Sequence, residues 1–233
     1  MLHNKSTKRF KVIKGVICFL TLTMLIMAIV LLFVVDDTKK ISRIIFSIIQ
    51  LLLMMGIIIL PKRIKEKWEL EIPLTLETIL TVFAFCGFIL GDVFDFYKKI
   101  PIWDSILHAF SGVVLAYVGY VLIDYFVKRD SINLYMGKAY VCVCVVLFSL
   151  ALGAIWEIGE YLVDDIFKTN NQQYMKSTRG TLYGKEDEPL LGHDALNDTM
   201  KDLMLDLAGA AAIVTIEYGK EGYRNHKNKR NLK

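Results

Sequence analysis

Six stretches of this sequence, at about residues 12–35, 41–60, 73–97, 103–127, 139–164 and 198–218, are apolar over about twenty positions each, the length of helix that crosses a bilayer core. In lipid the backbone must satisfy its own polar groups, so only helices and closed barrels can span. None of the six alternates with the period of two that a barrel strand needs. The expected fold is therefore all-α, a polytopic transmembrane helical bundle of six spans. A hydrophobic content of 55% accords with that reading. The first block follows basic residues, as a signal peptide does. It is too long for the apolar part of one, ends in Val34-Val35-Asp36-Asp37 and lacks a small-residue cleavage pattern, so it reads as a span. Cys18, Cys86, Cys142 and Cys144 all lie inside apolar blocks and imply neither a disulfide framework nor a cysteine metal site.

Lysine and arginine give the orientation. With the N-terminus in the cytoplasm, eighteen of the 28 basic residues fall on the inner side, and half of the outer ten sit in or beside one long loop. Both termini are expected to be cytoplasmic. The chain then divides into an N-terminal two-span hairpin (1–72), a four-span core (73–218) and a basic tail (219–233). The basic ends do not point to nucleic acid, because orientation and attraction to anionic lipid account for them.

This topology gathers the intramembrane acids at the outer leaflet. The third span ends with Asp92 and Asp95, the fourth begins with Asp104, His108 and Ser111, the fifth ends with Glu157, Glu160 and Asp164, and the sixth begins with Asp198, Asp202 and Asp206. Spacings of three, four and seven put each set on one face of its helix, with Gly153 a turn before Glu157 and Gly209 after Asp206 on the same stripes. A carboxylate at the middle of a span costs about 2.5–3.5 kcal/mol on insertion scales and less near an end. No lysine or arginine lies between Lys138 and Lys168 to offset it. Protonation, basic groups reaching in from the outer loops, or a bound cation remain.

A cation site is the reading that relieves the repulsion most completely. Its expected ligands are His108 with Asp104, Glu157, Glu160, Asp198 and Asp202, joined by His193, which stands close in chain to Asp198. Oxygen-rich ligands with one or two imidazoles suit a divalent metal without selecting which. The duller alternatives are that Asp164, Asp165 and Asp198 sit at headgroup level or cap helix ends, and that His108 bonds Asp104 on its own helix.

The long outer loop, 165–197, is polar and too long for a simple connection, so it reads as either a lid or a solvated linker. It carries Arg179 among hydroxyl residues, suited to hold a phosphate or lipid headgroup beside the cation. In an enzyme built this way Glu157 or Glu160 would be the general base and Arg179 would hold the anionic group. A proton- or cation-coupled transporter, or an ion-binding protein without catalysis, is the alternative.

The motifs W-D-x3-H-x2-S-G (103–112), W-E-x2-E-x3-D (156–164) and D-T-x2-D-x3-D-x2-G-A (198–210) resemble the YjdF-like family of small bacterial membrane proteins. The resemblance covers residues 85 to 212. It implies a multi-span helical protein of the bacterial plasma membrane and carries no assigned reaction or ligand. The orientation makes a direct prediction. A Ser177→Cys change in a cysteine-free background should label with a membrane-impermeant maleimide on intact cells, and labelling only after lysis would reverse the topology.

Overall fold

The computed structural model describes residues 2–70, 72–129, 137–176 and 187–231, with the side chains of 2–7, Lys39 and 221–231 left aside. The helices are α1 (Leu2–Leu32), α2 (Thr38–Trp68), α3 (Leu74–Ala84), α4 (Phe96–Lys99), α5 (Trp103–Arg129), α6 (Lys138–Phe167) and α7 (His193–Asn231), and α3 runs on into a wider π-helical segment, Phe85–Val93. Among the described residues, five stretches of helix are long and apolar enough to cross a membrane: Lys8–Leu32, Lys40–Trp68, Leu74–Val93, Trp103–Arg129 and Lys138–Phe167. Residues 198–218 are helical as expected, within α7, but are not among the five, because Lys201, Asp202 and Asp206 interrupt the apolar run.

Local chemistry sets the helix ends. Asp37 caps α2 by accepting from the Lys40 amide at 2.9 Å, and Glu69 ends it in the left-handed region (φ 55°) with its amide on the Lys65 carbonyl. Pro73 starts α3, where its missing N–H costs nothing. The third span does not continue as one α-helix to residue 97. It widens at Phe85, stops after Val93, and turns through Asp95 at φ 60°. The last helix begins at His193, directly after Gly192 at φ 58°, so the expected helix start near Asp198 lies five residues too late. Asp198 is inside the second turn and does not cap the helix.

The chain forms two compact units, Met1–Leu107 with Gly159–Asp198, and His108–Ile158 with Thr199–Lys233. In the first, α1 and α2 pack as a hairpin against α3 and the π-helical segment. Ile17, Met54, Ile58 and Ala84 form one apolar cluster and Ala28, Leu51 and Ile89 another. Polar pairs tie the same elements together: Lys14 with Glu77, Gln50 donating to Asp92, and Arg43 and Lys98 with Asp95. Asp92 and Asp95 thus have partners from α2 and α4, and those of Asp95 are basic.

The chain that follows α6 is ordered around Asp164, which is 2% exposed. Its carboxylate accepts from Thr169 Oγ1 and the Asn171 amide at 2.7 Å, and from Asn171 Nδ2 and the Gln172 amide at 2.9 Å. The Asn170 side chain braces the next turn through both polar groups of Met175, and Met175 pairs with Pro189 in an isolated antiparallel bridge. Asp164 is therefore the anchor of a loop, with its charge satisfied by backbone and side-chain donors.

In the second unit, Ala116, Val145 and Ala210 are fully buried at the meeting of α5, α6 and α7, with Tyr120, Ile123, Val141, Ile213 and Val214 around them. A Cβ at Gly112 would collide with the Asp206 carbonyl oxygen, and one at Gly209 with the Ala109 carbonyl. The α5 and α7 backbones touch there, as small residues permit. The Asp164 knot carries a prediction. Asp164→Ala strands several buried donors, each worth about 1–3 kcal/mol, and should lower the unfolding midpoint in detergent and speed proteolysis near 168–176. An unchanged midpoint would mean the loop is held by other contacts.

Candidate metal centre

Three helices of the second unit bring ionisable side chains to its interior. On α6 Glu157 is 4% exposed while its neighbours Trp156 and Ile158 are exposed, and on α7 Asp202 and Asp206 are buried while Met204 and Lys201 face outward. The helical period puts apolar residues on the lipid-facing side and concentrates the charge within. His108, on α5, is buried among these carboxylates.

The imidazole has two distinct sides. Its Nδ1 lies 3.3 Å from Asp206 Oδ2, within hydrogen-bonding reach. Its Nε2 lies 3.7 Å from Glu157 Oε1 and 3.7 Å from Asp202 Oδ2. Ser111, one turn along α5, donates its hydroxyl to Asp206 and also lies 2.8 Å from the His108 carbonyl. Ser149 on α6 reaches the Gly112 carbonyl at 3.3 Å, which ties α6 to α5 just below this cluster.

Of the residues expected from sequence to bind a metal, His108, Glu157 and Asp202 come together in this unit. Asp104 is buried one turn before His108 on α5. Glu160 is buried one turn after Glu157 on α6. Asp198 is half-buried and accepts from Gln173 Nε2 at 2.7 Å, and His193 is exposed at the start of α7. Arg179 lies outside the described residues. The expected ligand set missed Asp206 as the partner of His108, although its spacing of four from Asp202, with Gly209 after it, already placed it on the same stripe.

One imidazole with several carboxylates in a helix bundle is an arrangement that divalent ions such as Mg, Mn, Fe or Zn accept. Such an ion can polarise an oxygen or lower the pKa of a bound water, and a nearby carboxylate can take up the proton.

The model of a family described as predicted membrane protein (DUF2238) matches residues 17–221. An uncharacterised protein of the bacterium Thermotoga maritima is 28% identical over 151 residues, which cover 65% of this chain and 66% of the relative. The match thus leaves about a third of the relative's length outside it. No solved structure matches the chain. The resemblance carried by the polar motifs agrees with these findings at the level of a small membrane protein family.

Proposed function

This chain belongs to the predicted membrane protein family DUF2238, and we propose that it binds a divalent cation near the outer leaflet through His108, Glu157 and Asp202, with Asp104 and Glu160 completing the set. The observation that carries the proposal is the pair of equal separations at His108 Nε2, 3.7 Å to each of two buried carboxylates. Ligand atoms 3.7 Å apart subtend roughly 120° at an ion with bonds of about 2.1 Å, an angle common to four- and five-coordinate sites. The same carboxylates without an ion would face one another in low dielectric, where like charges repel most strongly.

The proposal includes the membrane arrangement. Residues 198–218 of α7 form a sixth span beside the five apolar ones, both termini lie in the cytoplasm, and the protein resides in a bacterial plasma membrane. The acids then open to the outer face, beside lipid headgroups. A cation there would activate water or a headgroup oxygen, Glu157 or Glu160 would serve as general base, and Arg179 would hold an anionic group, so a lipid or its headgroup is the proposed substrate. Helical stripes of acid confined to one leaflet favour this outward site over a path through the membrane, which would need polar groups along the full length of the spans.

The test is elemental analysis of the detergent-purified protein after dialysis against a weak chelator. Near-stoichiometric metal is expected in the wild type, with loss in Glu157→Gln and in Asp202→Asn. Glu160→Gln should also lose metal, and full retention would remove Glu160 from the ligand set. No metal in the wild type under any divalent supplement would overturn the proposal and leave proton-coupled transport as the reading to pursue.

A further inference from the structure

Asp206 stands apart from the other acids of the second unit. It is 1% exposed, and its surroundings fix it on three sides. His108 Nδ1 lies at 3.3 Å from Oδ2, and the Ser111 hydroxyl donates to Oδ1. On α6, Gly153 leaves open the space that the carboxylate fills, because a Cβ there would meet Asp206 Oδ2 first and then Cγ and Cβ. Each of the three contacts comes from a residue with suitable chemistry: a ring nitrogen, a hydroxyl, and a glycine that makes room.

An ionised carboxylate only accepts hydrogen bonds. A histidine that bonds to one must therefore carry its proton on the bonded nitrogen. We infer that Asp206 is a positioning residue for the cation site: it holds the proton on His108 Nδ1, fixes the plane of the ring, and so turns the lone pair of Nε2 toward Glu157 and Asp202. The inference rests on the cation reading and assigns Asp206 a role different from that of a ligand. Histidines that bind metals commonly donate their second ring N–H to a carboxylate, which fixes the tautomer and raises ligand basicity.

Ser111 adds a second constraint. By donating to Oδ1 it occupies one carboxylate oxygen and leaves Oδ2 to the ring, so that the carboxylate cannot rotate without breaking both contacts. The sequence stripe Asp104, His108, Ser111 therefore does two things on one helix face: its middle residue is aimed at the ion, and its last residue fastens the group that aims it.

The experiment is nitrogen NMR of histidine-labelled protein at about pH 8, above the ordinary imidazole pKa of about 6.5, with and without zinc and alongside zinc titration. His108 is identified among the four histidines by subtraction with His108→Gln. The wild type should show a protonated Nδ1 in both states and a coordinated Nε2 with zinc. Asp206→Asn should bind zinc about 10- to 100-fold more weakly at unchanged stoichiometry, with the Nδ1 signal displaced. Gly153→Ala keeps the carboxylate but pushes it aside, a shift its flexible end can make without unfolding the unit, and should reproduce both effects.

A bare Nδ1 in the wild type, or variants that keep both the zinc affinity and the Nδ1 signal, would overturn the positioning role while leaving the cation site standing. If the wild type binds no zinc, manganese or iron, the cation reading fails by itself. The metal-free spectra then still decide the dyad: an Nδ1 proton lost in Asp206→Asn supports it, and one indifferent to the change overturns it.

Discussion

Charge in hydrocarbon is the constraint on which this molecule is built. A carboxylate within a span is tolerable only if it faces inward and something there meets its charge. Nearly every feature of α5, α6 and α7 follows. The apolar residues are set outward, the acids and His108 inward, and the backbones of α5 and α7 meet at Gly112 and Gly209. Helices with bulkier residues at these points would stand further apart, and the carboxylates would be left facing each other across a gap.

The structure meets the charge in three different ways. Asp95 takes Arg43 and Lys98 as partners. Asp164 is wrapped by the amides and side chains of the loop that follows it. His108 stands among Glu157, Asp202 and Asp206 in the interior, where the proposed ion would complete the balance. Only the third has the donor chemistry of a metal centre. The acids of this sequence look alike in one dimension and part company according to what the fold places beside them.

That divergence explains what was legible in advance. Block length and the lack of a two-residue period are properties of the chain itself, so the helical membrane fold could be read directly, as could the inward stripes bearing His108, Glu157 and Asp202. The role of Asp164 could not, because its donors are backbone amides of residues 171 and 172, which look alike in any sequence. The start of α7 was missed for a related reason: Gly192 at positive φ, rather than the polar residues near Asp198, sets the boundary. Asp206 was visible as part of a stripe, but its selective pairing with Nδ1 depends on the space left at Gly153 on another helix.

The last helix has a consequence of its own. At about 1.5 Å per residue its 39 residues extend roughly 58 Å, close to twice the thickness of a hydrocarbon core. It is therefore longer than a single crossing needs, with Asp202 and Asp206 in its first half and basic residues toward its end. The carboxylates and the basic end thus lie on one continuous rod, and helical geometry fixes the spacing between them.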